Sequence, residues 1–272
     1  MAKNKTRLDT LLVKKGLVES REKAKSLIMA GKVFNDNIRL DKPGMMVNED
    51  LCLTVKEDLH PYVSRGGLKL AKAIQSFKLD LRGKIVADIG ASTGGFTDCA
   101  LQNGAVRVYA VDVGYGQLAW KLRSDPRVIS MERTNARYLK EDSLPEKVDL
   151  VICDVSFISL TKIFPAMLSI LKEEGQAITL IKPQFEAGPE NVGKNGVVKD
   201  PQVHKKVLEK ILQEAEELGL TVLNIDYSPI RGPEGNIEFL AHFIKSTSGK
   251  EQGLDWYPLL SDLVQQAQLG TE

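Results

Sequence analysis

Four charged residues stand at the ends of apolar segments that lie far apart in the sequence. Asp154 ends "LVICD", Lys182 ends "ITLIK", Glu238 is near the start of "IEFLAHFIK", and Lys69 is near the start of "GLKLAKAIQSF". Taken singly, each could be a strand-end or surface salt bridge. If they converge, a neutral lysine can act as a base on a weakly acidic hydroxyl, such as a ribose 2′-hydroxyl, while carboxylates orient it. We interpret Lys182 as the base, Asp154 and Glu238 as orienting groups, and Lys69 as a substrate-positioning group.

The segments that carry these residues alternate between strand and helix patterns. Helices are expected near 93–103, 117–122, 159–172 and 203–218, between the strands "KIVADIG", "VRVYAVDVG", "RVISM", "VDLVICDVS", "QAITLIK" and "TVLNIDYS". This alternation predicts an α/β fold, a doubly wound parallel sheet with helices on both faces. Ligands of such sheets bind at the carboxyl ends of the strands, where Asp154 and Lys182 stand.

The end of the sheet departs from this pattern. The connection "SPIRGPEGN" is too short for a crossover, so "IEFLAHFIK" is predicted to return antiparallel, which brings Glu238 to the same edge. The helix that contains Lys69 precedes the first strand and should begin at that edge. A Rossmann-like parallel sheet with an antiparallel last strand is typical of class I S-adenosylmethionine-dependent methyltransferases.

The segment "DIGASTGGFTD", residues 88–98, joins the first strand to a helix and offers several interpretations. Its glycine spacing does not match the dinucleotide pattern G-x-G-x-x-G. It does match G-x-S-x-G, in which Ser92 would be a hydrolase nucleophile, but the histidines that follow, His204 and His242, lie in a predicted helix and a predicted strand. The remaining interpretation is a cofactor loop, with Asp112 after the next strand to bind ribose hydroxyls.

This cofactor loop predicts S-adenosylmethionine, which lacks a pyrophosphate. The predicted cofactor-binding residues are Asp88, Gly90, Ala91, Ser92, Thr93, Gly94, Gly95, Phe96, Asp112, Asn135 and Phe157. Three of them have simpler alternatives. Asp112 could be a turn carboxylate, Asn135 a helix cap and Phe157 a core residue.

Composition limits the remaining classes of protein. The 272 residues are 43% hydrophobic and 27% charged, which is typical of one or two soluble domains. No apolar run approaches the roughly 18 to 20 residues of a membrane span, and the start of the chain lacks an apolar signal-peptide core, so we expect a cytoplasmic protein. Cys52, Cys99 and Cys153 are expected to be reduced core residues, with neither a disulfide nor a metal site.

Charge is concentrated at the start of the chain. Residues 1–58 contain 12 basic and 9 acidic residues, and residues 61–84 contain 6 and 1, whereas the chain as a whole is +1. This basic third favours nucleic acid as a partner, with a solvated charged surface as the alternative. Helices at 7–15 and 19–31 and a hairpin in "KVFNDNIRL" predict a small α+β domain at 1–60. A linker at 61–67 leads to the larger domain, 68–272.

The stretch "RLDTLLVKKGLVESREKAKSLIMAGKVFNDN" resembles the S4-like RNA-binding domain, named for a ribosomal protein. In that family the helix corresponding to "SREKAKSLI" contacts structured RNA through basic side chains. The resemblance therefore implies RNA contacts by Arg21, Lys23 and Lys25, and Arg65 of the linker is added to this set.

The motifs "PYVSRGGLKL", "DIGASTGGFTD", "DVGYGQL", "DVSFISL", "LIKPQFE" and "GPEGNIEF" resemble the TlyA family of bacterial ribosomal RNA methyltransferases, also known as hemolysins. The resemblance implies an FtsJ-like domain whose Lys-Asp-Lys-Glu tetrad is Lys69, Asp154, Lys182 and Glu238. It also implies methylation of the 2′-hydroxyl of cytidine in large-subunit ribosomal RNA, or additionally in small-subunit RNA, with ribosomal subunits as partners. Alternatives are a membrane-active hemolysin and a non-catalytic RNA-binding factor. The segment "QFEAGPENVGKNGVVKD" is long enough to be a lid.

Overall fold

The computed structural model describes residues 5–18, 20–29, 31–55, 60–246 and 253–271. The predicted second helix includes Glu19 and Ala30, which lie outside these residues, as do residues 57–59 ahead of the predicted linker. The chain divides into two compact units, 1–61 and 62–272.

The described residues of the N-terminal unit form two helices and five short strands. Its elements are β1 (Lys5–Arg7), α1 (Leu8–Lys14), α2 (Arg21–Met29), β2 (Val33–Asn35), β3 (Ile38–Arg39), β4 (Met46–Asn48) and β5 (Leu53–Val55). Strands β1 and β4 pair with each other, and β2 lies between β3 and β5, all antiparallel. Leucines of α1 and Ala24 and Ile28 of α2 are fully buried in one core. Cys52 was expected in the core but is exposed, since it lies between the short strands.

The larger unit contains a seven-stranded sheet and seven helices in its described part. Its elements are α3 (Gly66–Ser76), β6 (Ile85–Ile89), α4 (Gly95–Gln102), β7 (Arg107–Val111), α5 (Trp120–Arg123), β8 (Val128–Met131), β9 (Val148–Cys153), α6 (Phe164–Ile170), β10 (Leu171–Ile181), α7 (Pro183–Glu186), α8 (Pro201–Glu217), β11 (Leu220–Tyr227), β12 (Phe239–Lys245) and α9 (Leu260–Gly270).

The strand order of this sheet is β11-β12-β10-β9-β6-β7-β8. The pairs β10–β9, β9–β6, β6–β7 and β7–β8 are parallel, whereas β12 is antiparallel to both β10 and β11. Ile181, the last residue of β10, is opposite Phe239, the first of β12. The predicted class I methyltransferase fold, with its antiparallel last strand, is therefore confirmed.

Two apolar cores lie on opposite faces of the sheet because successive strand residues point to opposite sides. In β6, Ala87 and Ile89 pack with residues of α6, α8 and α9, whereas Val86 packs with residues of α3, α4 and α5. Helix α8 shows how sequence sets such an element: Asp200 accepts a hydrogen bond from the Gln202 amide as N-cap, and Pro201 occupies the first turn.

Two predicted elements differ from the structure. The helix expected at 159–172 is a single turn of 3₁₀ helix, Leu160–Lys162, followed by α6, which ends at Ile170. Leu171 already pairs with β9, and the register shifts between Leu171 and Gln176, where Glu174 has a positive φ of 60°. The helix expected at 117–122 is the single turn of α5.

Candidate active site

The structure brings the four predicted tetrad residues together at the carboxyl edge of the sheet. Asp154 immediately follows β9 and Lys182 immediately follows β10. Glu238 immediately precedes β12, which starts at this edge because it is antiparallel. Lys69 lies in the first turn of α3. Four distant segments thus contribute to one cluster.

The cluster is a buried network of two cations and two anions. Lys69 Nζ donates a hydrogen bond of 2.5 Å to Glu238 Oε2 and lies 3.7 Å from Asp154 Oδ2. Asp154 Oδ1 lies 2.5 Å from Lys182 Nζ and forms an ion pair with it. The lysine side chains are 8% and 9% exposed, and opposite charges beside them offset the cost of burying them.

The loop between β6 and α4 passes beside this cluster in a conformation that requires glycine. Gly90 has a φ of +83°, and a Cβ there would lie 2.6 Å from the carbonyl oxygen of Asp154. At Gly94 the φ is +98°, and a Cβ would lie 2.2 Å from Leu122 Cδ1. Ser92 has a φ of +49° although it is not glycine. Glycine is therefore needed for close packing of the loop against the strand ends.

Two cavities meet at this loop. The first, of about 520 Å³, is lined by all four tetrad residues and by loop residues that include Ala91, Thr93, Gly95 and Phe96. The second, of about 470 Å³, is lined by Asp112, Asn135 and Phe157 among others. Gly90, Ser92, Asp154 and Ser156 line both cavities. A ligand in one cavity would therefore lie directly beside a ligand in the other.

The second cavity contains one carboxylate suited to hydroxyl groups. Asp112 accepts hydrogen bonds from the Ser92 amide, 2.8 Å from Oδ2, and from the Gly114 amide, 2.7 Å from Oδ1. Both hydrogen bonds come from backbone amides, as in the alternative interpretation of Asp112 as a turn carboxylate. Each oxygen keeps a second lone pair, so the carboxylate can also accept from a ligand.

Asn135 and Phe157 have different surroundings. Asn135 caps a 3₁₀ turn by accepting from the Arg137 amide at 3.1 Å, so the capping alternative applies while the residue also lines the cavity. Phe157 is 90% exposed, with a φ of +62°, and its ring lies 5.0 Å from that of Phe185. The alternative of a core residue is wrong for Phe157, because its side chain is exposed.

Asp88 is not placed to contact a ligand. It was predicted to bind the cofactor, but its side chain has no accessible surface and lines neither cavity. Its Oδ2 accepts a hydrogen bond of 2.6 Å from Thr97 Oγ1 of α4, and Oδ1 has no hydrogen-bond partner. Burial, the dominant cause, raises the pKa of Asp88 to about 7. Its described hydrogen bond instead joins the end of β6 to the start of α4.

Ser92 does not form a hydrolase triad with the downstream histidines. His204 shares hydrogen bonds with the Val198 carbonyl and Gln268, and His242 with Asn224 and Gln176. Burial lowers the pKa of His242 to about 4. Both rings are committed to the core, so neither activates Ser92 Oγ.

The segment predicted as a lid is held at both ends. Its first turn is α7, in which Glu186 accepts a hydrogen bond of 2.8 Å from the Leu160 amide. Burial raises the pKa of the Glu186 carboxyl. At the other end, Asn236 accepts from the Val198 amide and donates to the Gly196 carbonyl. These contacts are those of an anchored loop rather than a free flap.

Comparison with known proteins gives the family. Residues 62–245 match the FtsJ-like methyltransferase family, and residues 6–51 match the S4 domain. The chain belongs to the FtsJ-like methyltransferase family.

Two relatives and a solved structure are similar to this FtsJ-like methyltransferase over most of its length. The "16S/23S rRNA (cytidine-2′-O)-methyltransferase TlyA" of Mycobacterium tuberculosis is 45% identical, over 86% of this chain and 88% of the relative. "Hemolysin A" of Brachyspira hyodysenteriae is 42% identical, over 88% and 99%. A structure named "Putative hemolysin from Streptococcus thermophilus" is 48% identical, covers 99% and 98% of the two chains, and has a TM-score of 0.77. The resemblance to the TlyA family is confirmed.

Within this FtsJ-like methyltransferase, the predicted RNA-binding residues have unequal surroundings. Lys23 and Lys25 are exposed on α2. Arg21 donates a hydrogen bond of 3.1 Å to Asp9, which is fully buried. Arg65 lies in the larger unit, where it lines the tetrad cavity and donates a 2.8 Å hydrogen bond to the Arg231 carbonyl. The four residues therefore differ in their contacts.

Three further residues at the site of the methyltransferase did not emerge from the sequence. Ser64 and Arg231 line the tetrad cavity, and Ser156 lines both cavities. The Lys182 ammonium donates a hydrogen bond of 3.1 Å to Ser156 Oγ. Their only sequence signal is position, since Ser156 is three residues beyond the end of β9 and Arg231 lies in the turn between β11 and β12.

Proposed function

We propose that this protein transfers a methyl group from S-adenosylmethionine to the 2′-hydroxyl of cytidine in ribosomal RNA. The observation that carries the proposal is the pair of cavities that share Gly90, Ser92, Asp154 and Ser156. One cavity is suited to a cofactor with ribose hydroxyls, and the other contains the tetrad. The methyl donor and the acceptor hydroxyl can therefore lie side by side, as direct transfer requires.

The second cavity suits S-adenosylmethionine by the chemistry of its donors and acceptors. The Asp112 carboxylate, oriented by two backbone amides, can accept hydrogen bonds from both ribose hydroxyls. Asn135 and Phe157 line the same cavity and offer an amide and an aromatic ring to the adenine. When bound, this cofactor supplies an electrophilic methyl group on a positively charged sulfur.

The tetrad residues have different roles at the acceptor hydroxyl. Lys182 Nζ, once neutral, takes the proton of the 2′-hydroxyl and becomes an ammonium group. The Asp154 carboxylate, 2.5 Å away, stabilises the resulting ammonium group by forming an ion pair with it. Lys69, held by Glu238 and near Asp154, stabilises negative charge on the attacking oxygen.

The choice of ribosomal RNA rests on two separate observations. The S4 domain exposes Lys23 and Lys25, which can neutralise phosphates. The relative that is 45% identical carries the name of a 16S/23S rRNA cytidine-2′-O-methyltransferase. Both subunits are accordingly candidate substrates, and the ribosomal subunits are the proposed partners.

The direct test is methylation of isolated small and large ribosomal subunits that lack these modifications. The purified protein is incubated with each subunit and labelled S-adenosylmethionine, and the modified nucleotides are mapped. We expect label on the 2′-oxygen of cytidine in at least one subunit, and none with Lys182→Ala. Label on a base nitrogen or carbon, or none on either subunit, would refute the proposal.

A membrane-active hemolysin is the competing function, because two similar proteins carry that name. Over the parts of the chain that the structure describes, no helix is both long and apolar enough to cross a membrane. Leakage of a dye from phospholipid vesicles, measured with the purified protein and with Lys182→Ala, separates the two functions. We expect no leakage at protein concentrations that support methylation.

A further inference from the structure

The surroundings of the two tetrad lysines differ in a way that assigns a role to Ser156. Lys69 lies between two carboxylates, Glu238 at 2.5 Å and Asp154 at 3.7 Å. Lys182 lies between one carboxylate, Asp154, and a neutral hydroxyl, that of Ser156. Ser156 Oγ accepts a hydrogen bond of 3.1 Å from Lys182 Nζ, so Lys182 has one charged and one neutral partner.

This difference matters because an amine is a base only through its lone pair. A neutral lysine nitrogen has two hydrogens and one lone pair in a tetrahedral arrangement, so its rotation decides where the lone pair points. A hydrogen donated to Ser156 Oγ, with the other directed to Asp154, leaves the third direction for the lone pair. Lys182 lines the tetrad cavity, so that direction is open to a hydroxyl bound there.

We propose that Ser156 is a positioning residue that fixes the rotation of the Lys182 amine so that its lone pair faces the acceptor hydroxyl. The inference rests on the proposed function and deepens it. Ser156 gives Lys182 a neutral partner where Lys69 has a second carboxylate, and so distinguishes the proposed base from the lysine that stabilises charge. Asp154 alone does not do this, because a carboxylate in an ion pair tolerates many rotations of the ammonium group.

Ser156 also lines the second cavity, so loss of cofactor binding is the alternative explanation for any defect. The variants Ser156→Ala and Ser156→Thr separate the two, because alanine lacks the hydroxyl and threonine keeps it. Ser124→Ala is the matched control, since Ser124 is an exposed serine whose hydroxyl bonds only to carbonyls of its own helix, α5.

The kinetic test measures kcat and KM for ribosomal subunits and Kd for S-adenosylmethionine. For Ser156→Ala we expect kcat to fall by about 10- to 100-fold, as for loss of one hydrogen bond to a charged group, with KM and Kd within about twofold. Ser156→Thr should regain most of the rate. An unchanged kcat, a defect found only in Kd, or no rescue by threonine would overturn the proposal.

A second measurement does not depend on methylation. Nitrogen-15 NMR of lysine side chains observes individual Nζ groups, and Lys182→Arg identifies the Lys182 signal. We expect Ser156→Ala to accelerate hydrogen exchange of Lys182 Nζ while leaving that of Lys69 unchanged, and Ser156→Thr to restore it. A Lys182 signal that is the same in Ser156→Ala would overturn the inference, whereas a wild type that methylates neither subunit would refute the proposed function alone.

Discussion

Each of the two units contains a cluster of buried opposite charges, and the clusters use different cations. In the N-terminal unit, Asp9 is fully buried and receives hydrogen bonds from Arg7 and Arg21, whose side chains remain 47% and 51% exposed. In the larger unit, the carboxylates are paired with lysines that are almost fully buried. In the N-terminal cluster the anion is buried and its cations are exposed to solvent, whereas in the larger unit the cations are buried as well.

The difference explains what each cluster can do. A guanidinium group does not lose its proton in proteins, so the arginine cluster can only hold α2 against the start of α1. An ammonium group, unlike a guanidinium group, can lose a proton and become a neutral amine. The lysine cluster is therefore able to accept a proton from a substrate, and the arginine cluster is not.

The strongest test of this comparison converts one cluster to the other type. Lys182→Arg keeps a positive charge beside Asp154 but removes the base, so we expect kcat to fall by about 10²- to 10⁴-fold, as in Lys182→Ala. The Kd for S-adenosylmethionine should change little, which calorimetric titration can measure. Lys206→Ala, an exposed lysine on α8, is the control. An active Lys182→Arg variant would show that the lysine contributes only charge.

Another buried carboxylate, Asp88, forms no ion pair with the residues that the structure describes and should respond to pH in the opposite sense to Asp9. Because its pKa is raised to about 7 in the fold, the folded protein keeps a proton that the unfolded chain loses near pH 4. The free energy of unfolding should therefore fall as pH rises from about 4 to 7, by up to about 4 kcal/mol. Denaturant titrations of wild type and Asp88→Asn across this interval measure it. An equal fall of the free energy of unfolding with pH in wild type and Asp88→Asn would contradict the raised pKa of Asp88.

Removal of Asp9 tests the arginine cluster itself. Hydrogen bonds from both arginines hold the pKa of Asp9 well below its usual range, so its contribution is present above about pH 4 and is lost only in stronger acid. We expect Asp9→Asn to destabilise the N-terminal unit at pH 7 by about 1–3 kcal/mol, as for loss of a charge-assisted network. Amide hydrogen exchange of residues 5–55 can measure this. Equal protection of these amides in wild type and Asp9→Asn would argue against a stabilising role for the cluster.

The smallest expected effect distinguishes Arg21 from its neighbours on α2. Each lysine that neutralises one phosphate contributes about 0.9 to the slope of log affinity against log salt, so Lys23→Ala with Lys25→Ala should reduce the slope by up to about 2. Arg21 is already engaged by Asp9, so Arg21→Ala should change the slope less and stability more. Fluorescence anisotropy with ribosomal RNA fragments measures the slopes. A larger change for Arg21 than for the lysines would reverse this ranking.

Much of the site could be predicted because strand ends are visible in sequence. Lys182 and Asp154 directly follow buried apolar runs, and the short turn before β12 predicts the antiparallel strand that positions Glu238. The buried position of Asp88 could have been predicted, since alternation along β6 places it on the same face as Val86, towards α4. The contacts of Ser156 with Lys182 and of Arg21 with Asp9 could not, because they join residues 26 and 12 positions apart through tertiary packing.

The position of β12 between β10 and β11 also fixes the order in which the protein matures on the ribosome that makes it. The N-terminal unit is complete once residue 61 has been synthesised. The hydrogen bond between Lys69 and Glu238 joins residues 169 positions apart, so the tetrad can form only after nearly the whole chain has been synthesised. Until β12 has been synthesised, the edge of β10 that pairs with it has no partner strand. A nascent chain therefore gains the means to hold RNA long before it gains the means to modify it.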